Sequence, residues 1–245
     1  MNRVLRVSPA VGLVLVLIIV GMATAAPFNV GERLVFTISW TNVIEAGVAV
    51  MEVVDTITFN GHECYHLVST TESAPVFSSF FYVKDRIDVY FDVDTYASLK
   101  YEKHLREGDY QSDVVVYFDP DNKLVAREEK LIRTLENAMD VMTAFYWVRS
   151  QDLTVGNTFY FNHCDGKTSK TIDVKVLKTE TVTVPAGTFD CICVEPNLAE
   201  TEGIFKQSGR IWIWLTNDSR HMPVLMKSSI AIGDINARLA SYSSG

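Results

Sequence analysis

The sequence of 245 residues has no G-x-S-x-G nucleophile elbow, no H-E-x-x-H motif, no phosphate-binding glycine loop and no C-x-x-C pair. Those absences remove the recognisable serine hydrolases, zincins, P-loop proteins and zinc fingers from consideration. Asp119, Asp121 and Asn122 begin like a calcium loop, but the later glycine and glutamate that such a loop needs are missing. Glu128 and Glu129 beside Lys130 read as a solvated charge run. No catalytic residue and no cofactor is assigned from the sequence. Basic residues are also in deficit: 22 Lys and Arg stand against 30 Asp and Glu, for a net charge of −8. That balance disfavours nucleic acid and anionic membrane surfaces as principal partners.

Long apolar runs are nearly absent as well. The single one, Val11 to Val20 broken by Gly12, follows Arg3 and Arg6 and precedes Ala23-Thr24-Ala25. Basic start, short apolar stretch and small residues at a cleavage point make residues 1–25 a secretory signal peptide, with cleavage expected after Ala25. The run is short against the roughly 20 apolar residues that cross a bilayer, and no later segment could span. No cysteine follows it, so no lipid attachment is expected. The mature chain, 26–245, is expected to be a single β-rich domain in the periplasm or cell envelope.

Four cysteines remain: Cys64, Cys164, Cys191 and Cys193. In an oxidising compartment they allow two disulfides in three connectivities. Cys191 and Cys193 share one face of a strand at about 6.5–7 Å between Cα atoms, at or beyond disulfide reach. Each either bonds elsewhere or remains a buried thiol.

Strand patterns dominate what is present. RLVFTISW (33–40), GVAVMEVVDTITF (47–59), RIDVYFDV (86–93), SDVVVYFD (112–119), KTIDVKVL (170–177), TFDCICVE (188–195) and RIWIWLTN (210–217) are rich in β-branched and aromatic residues. Asn60-Gly61 marks a two-residue hairpin; Asp119 to Asn122 and Pro185-Ala186-Gly187 mark turns. One stretch, 135–151, has no Gly or Pro and places apolar residues at helical spacing, which predicts a helix pressed on a sheet. A shorter helix is expected within 74–81. A faint repeat also shows: Asn29-Val30-Gly31 and Thr154-Val155-Gly156 each precede an apolar strand, and Gly61 and Gly187 follow at similar distances. Two similar β-meanders joined through the helix would produce it.

Two strands are apolar on both faces. In 210–217, Ile211, Ile213 and Leu215 oppose Trp212 and Trp214; in 112–119, Val114, Val116 and Phe118 oppose Val115 and Tyr117. A sheet with one wet face alternates cleanly, so both faces are expected to be covered, by the helix, a second sheet or an apolar ligand. The stretch GHECYHL (61–67) puts His62, Cys64 and His66 on one strand face. His62 and His66 lie roughly 13 Å apart along it, too far for one metal ion with bonds of about 2.0–2.3 Å. No metal site is assigned.

The stretches FNVGERLVFTISWTNVIEAGVAVMEV (28–53), DVMTAFYWVRSQDLTVG (140–156), VTVPAGTFDCICVEP (182–196) and GRIWIWLTNDSRHMPVLMKSSIAIGDINARL (209–239) resemble, in order and spacing, the secreted bacterial proteins grouped as domain of unknown function 3108. The resemblance implies an envelope protein built on a curved antiparallel sheet; it implies no reaction, cofactor or functional residue.

The fold expected is therefore mainly β: a curved antiparallel sheet or half-barrel with one main helix across it. The aromatic set suggests an apolar cavity under the sheet, with Phe80, Phe81, Phe145, Tyr146, Trp212 and Trp214 as candidate lining residues. The functional expectation is a non-catalytic envelope protein that binds or carries a hydrophobic, lipid-like ligand. The alternatives are a structural or protein-interaction module with an envelope partner, and an enzyme of unrecognised type.

Overall fold

The structure, a computed structural model, describes residues 26–41, 44–197, 210–230 and 233–245. The signal peptide expected over 1–25 lies outside the described residues.

The first half of the chain is a run of hairpins: β1 (Glu32–Trp40), β2 (Ile44–Phe59), β3 (His62–Ser73), the short helix α1 (Pro75–Ser78), β4 (Lys84–Asp92), β5 (Ser98–Glu107), β6 (Tyr110–Asp119), β7 (Leu124–Arg127) and β8 (Lys130–Arg133). Helix α2 (Val141–Arg149) follows. The second half is another run of hairpins: β9 (Thr158–Cys164), β10 (Ser169–Val184), β11 (Gly187–Pro196), β12 (Ile211–Thr216), β13 (Pro223–Ile230) and β14 (Gly233–Ser244). Except for β8 and β9, strands consecutive in sequence pair antiparallel, and β14 pairs with β1. The result is one curved sheet of 14 strands with β8 and β9 at its edges. This is the architecture expected from the strand pattern.

The ladder does not close into a barrel, but a strap formed by 134–140 joins its edges. Met139 N–H donates to Asn162 O at 2.7 Å, Cys164 N–H to Met139 O at 3.0 Å, and Ser98 N–H to Ala138 O at 3.1 Å. These bonds explain why the helix expected over 135–151 is shorter. The backbone of 138–139 is committed to β5 and β9. Asp140 is extended, and its carboxylate accepts from Met142 N–H and Thr143 N–H at 2.8 and 3.0 Å. A capped N-terminus starts the helix at Val141. The second helix, expected within 74–81, is one turn long.

The internal repeat is visible in the hydrogen bonding. Gly31 and Gly156 both have positive φ, 87° and 94°, where a side chain would be strained. Gly31 N–H donates to Val53 O at 2.7 Å, and Gly156 N–H to Val176 O at 2.9 Å. Each acceptor immediately precedes a bulge, in β2 and in β10, and both of those strands are 16 residues long. Cys64 and Cys191 follow at matching places, each donating its thiol to the carbonyl two residues back.

Buried Leu34, Phe36, Val53, Leu67, Val89, Phe91 and Val116 make the main core, and Tyr146 of α2 packs into it. The other side of α2, Ala144 and Val148, packs with Ile172, Val174, Ile192, Val194 and Leu215. On β12 both faces are covered, as expected: Leu215 lies under α2 while Trp214 is buried on the other side. On β6 they are not. Val114, Val116 and Phe118 are buried, but Tyr117 is exposed and Val115 only half-buried. Tyr117 stands beside Lys100, on the face that also carries the charged pairs of β3–β5.

Candidate functional site

Three groups of side chains carry chemistry. The first is the connection Ser73–Val83 between β3 and β4, SAPVFSSFFYV, which contains no charged residue. Pro75 opens α1 because its ring already holds a helical φ and its missing N–H costs nothing at a first turn. The serine hydroxyls of the connection are bonded within it, although Ser79 itself stays exposed. Ser78 Oγ donates to Ala74 O at 2.9 Å and lies 2.6 Å from Ser73 Oγ, which accepts from Val83 N–H at 2.8 Å. Ser79 Oγ donates to Val76 O at 2.7 Å. Phe77 packs edge-on against Trp40. Phe81 lies on Gly108, where an added Cβ would come within 3.1 Å of its ring, and Gly108 N–H donates to Tyr82 O at 2.7 Å.

What remains facing outward is apolar. Phe80 is 85 % exposed, Val76 77 %, and Phe81 and Tyr82 about half, with Tyr110 of the neighbouring turn also exposed. Within the connection charge begins only at the base, where Glu72 and Lys84 pair at 3.7 Å across the two stems; the neighbouring turn carries exposed Asp109. Asp85 and Glu107 lie there too, hydrogen-bonded to each other. Burial pushes both carboxyls up, and the negative charge of Asp85 raises Glu107 further, while hydrogen bonds from Arg106 N–H and Glu107 oppose the rise of Asp85. The two carboxyls are in direct contact. They do not leave the space for a substrate that a glycosidase pair keeps at about 5 Å or more.

The second group fixes α2. Asp140, Ser98 and Thr143 form a buried cluster in which Ser98 Oγ and Thr143 Oγ1 each donate to the Asp140 carboxylate at 2.6 Å. At the other end of the helix, Arg149 is fully buried and makes two bonds to Glu32, at 2.7 and 2.8 Å. Its guanidinium lies 5.3 Å from the centre of the Phe28 ring and 4.9 Å from that of Tyr146. Arg149 O accepts from the His221 ring at 2.6 Å. The pair ties the start of β1 to α2 and to the turn before β13. Removing one member of such a pair costs about 3–5 kcal/mol because the other is left buried and uncompensated. This is a structural lock.

The third group is GHECYHL. His62, Cys64 and His66 do share a face of β3, opposite Tyr65 and Leu67. His62 Nδ1 is 3.0 Å from Asp92, and His66 Nε2 is 3.0 Å from Asp88. His66 also stacks on Tyr90 at 4.4 Å. Burial pushes the Asp88 carboxyl up, but hydrogen bonds from Arg86 and His66 outweigh it and hold the group below its ordinary value. Among the described residues no cluster of three or more His, Cys, Asp or Glu could hold a metal ion. All four cysteines are free and buried, so the disulfides considered for Cys64, Cys164, Cys191 and Cys193 are not formed. Burial raises every one of these thiols, Cys64 and Cys193 to about 11 and Cys191 to about 12.

The six candidate lining residues do not converge on one cavity. Tyr146 is fully buried, 4.9 Å from Phe28, among interlocking rings. Phe145 sits half-buried at the edge of that core. Trp214 is buried on the far side of α2, its Nε1 donating to Glu180 at 2.6 Å, with half-buried Trp212 beside it under Arg210. Phe80 and Phe81 project from the sheet at the α1 connection. The concavity lined by Thr179, Glu180, Thr181, Asp190, Cys191 and Asn217 is open and polar. Sequence reasoning passed over Val76, one valine within the short helix expected over 74–81, and over Arg149 and Glu32. The signal for Arg149 was its place three residues after Tyr146 at the end of an apolar helix.

An open, curved antiparallel sheet with one helix packed on it defines a barrel-like class of protein. The chain belongs to the family of proteins of unknown function DUF3108, whose profile matches residues 35–240. Among solved structures it is similar to a beta-barrel-like protein of the domain of unknown function DUF1849 from Brucella abortus. That likeness has a TM-score of 0.55 at 10 % identity and covers 87 % of this chain and 97 % of that one. It shows the fold. A protein with a YmcC-like fold from Bacteroides fragilis aligns at a TM-score of 0.41 and 13 % identity, covering 89 % of this chain and 97 % of that one. No curated protein matches the sequence. Among the described residues no helix is long and apolar enough to cross a membrane.

Proposed function

We propose that this is a non-catalytic protein of the bacterial cell envelope that binds a hydrophobic, lipid-like ligand. The observation that carries this reading is the α1 connection: four large side chains, Val76, Phe80, Phe81 and Tyr82, stand in solvent on a segment whose serine hydroxyls are bonded within it. Exposed apolar clusters of this kind mark interaction sites. The leader-like segment 1–25 supports export. The non-catalytic reading is supported by the state of the reactive side chains. The thiols are buried with raised pKa, His62 and His66 are engaged by carboxylates, and Asp85 and Glu107 touch.

The alternative, a structural or protein-interaction module that binds an envelope partner through a sheet face or edge, has less support at the β8 edge. Edge strand β8 is four residues long and carries Lys130 and Arg133, the charged, short kind of edge that resists pairing. The test is native mass spectrometry of the processed chain purified without detergent. Bound species of lipid mass, released by organic extraction, are expected. A protein that carries none, and takes up none on incubation with a phospholipid dispersion, would contradict the reading.

A further inference from the structure

We infer that the Ser73–Val83 connection docks the protein on a bilayer, its exposed side chains entering the boundary between head groups and acyl chains of a zwitterionic membrane. This rests on the lipid-binding reading and names its occupant: lipid in a membrane, met at the tip.

Three features select a bilayer over a protein partner. The first is the direction of the polar groups. Hydrocarbon tolerates a loop only where its donors and acceptors are satisfied internally. Here Ser73, Ser78 and Ser79 spend their hydroxyls within the tip, Phe80 and Phe81 N–H both donate to Phe77 O, and Ser73 N–H donates to Val83 O. A protein partner would instead be read through a polar rim, and the outward surface of the α1 turn offers only Ser79, whose hydroxyl already donates to Val76 O. The second is the partition of charge. Eleven consecutive uncharged residues end at the Glu72–Lys84 pair, and the adjoining 108–110 turn adds a single charge, exposed Asp109, so the apolar tip stands out from a charged body. Phenylalanine at the tip and Tyr82 nearer the base match the layering of an interface, where amphipathic rings sit at head-group depth. The third is shape and sign. Phe80 and Val76 protrude, a form that suits a fluid surface. A chain of net charge −8 is not drawn to anionic lipid, so apolar insertion supplies the attraction.

The experiment is flotation of the processed chain with phosphatidylcholine vesicles, beside Phe80→Ser and the double variant Val76→Ser, Phe80→Ser. Both side chains are exposed, so the variants should fold, and unchanged thermal midpoints check this. The wild-type chain should float, and partitioning should fall at least about tenfold in the double variant. Binding should be insensitive to 0.5 M salt, and phosphatidylglycerol should not strengthen it. A Phe80→Trp reporter should shift its emission to the blue on vesicles. No flotation, a tip variant that floats as well as wild type, or binding abolished by salt would overturn the inference. So would a Phe80-dependent dimer that ignores vesicles, which would give the tip to a second copy. If vesicles fail while lipid-mass adducts persist in native mass spectra, only this inference falls. If both fail, the lipid-binding reading falls with it.

Discussion

The two halves of the chain begin with the same plan and finish it differently. Both open on a glycine of positive φ bonded to the carbonyl before a bulge, run through a 16-residue strand, turn in two residues and return past a buried cysteine. In the first half the face opposite the core is left to water. There Asp55, His66, Asp88, Arg86, Glu102, Lys100, His104 and Asp113 pair across β2 to β6. In the second half α2 covers one face, and Trp214, Cys191 and Cys193 are buried on the other. One hairpin plan thus serves as a wet wall or as a layer buried on both sides, according to which residues alternate along its strands.

The largest test of that contrast uses two large rings in equivalent alternating positions. Trp214→Ala in the doubly covered half should lower stability by about 3–5 kcal/mol, the usual cost of emptying a large aromatic site. Tyr117→Ala on the wet face of β6 should stay within about 0.5 kcal/mol. Urea unfolding of the two variants decides it, and equal losses would break the distinction.

The duplicated glycines sharpen the comparison at smaller scale. Alanine at Gly31 or Gly156 should cost about 1–2 kcal/mol for the left-handed backbone. The Gly31 variant should lose more, because its Cβ would meet Gly245 Cα at 3.0 Å, whereas nothing lies within 4 Å at Gly156. Reversal of that order in thermal melts would count against the described packing of β1 on the C-terminus.

The smallest effect is one of pH. Burial lowers the pKa of His163, whose Nδ1 is 3.1 Å from Met139 O in the strap. In the window between its lowered folded value and the ordinary value of about 6.5, the unfolded chain binds a proton that the folded chain refuses. Stability from this residue is therefore present above about pH 6.5 and falls as the solution is acidified through that window. A His163→Gln variant should show a flatter dependence between pH 7.5 and 5 than wild type in urea titrations. Identical slopes would place the β9 histidine in water.

Much of the fold was legible in the sequence because period-two alternation and the Asn60-Gly61 and Pro185 turns report local geometry. β5 was not. Its sequence, SLKYEKHLRE, places Lys100, Glu102, His104 and Arg106 at alternate positions, so half of the strand looks like a charged loop until its neighbours supply the partners. The short α2 was hidden for a similar reason: residues 135–140 have helical composition, and only the tertiary bonds of 138–139 and the Asp140 cap divert them. The candidate site was half legible. Aromatic content pointed to Phe80 and Phe81, but composition alone does not tell a ring that fills a core from one that stands in solvent. Phe91 and Phe80 are indistinguishable until the sheet is built. The Glu32–Arg149 pair spans 117 positions and leaves no local trace.

The most direct measurement of the functional account is hydrogen–deuterium exchange of the processed chain with and without phosphatidylcholine vesicles. The expected result is added protection confined to 73–83 and the adjoining 108–110 turn, with β9 to β14 unchanged. Protection spread over the second half, or none at 73–83, would contradict it.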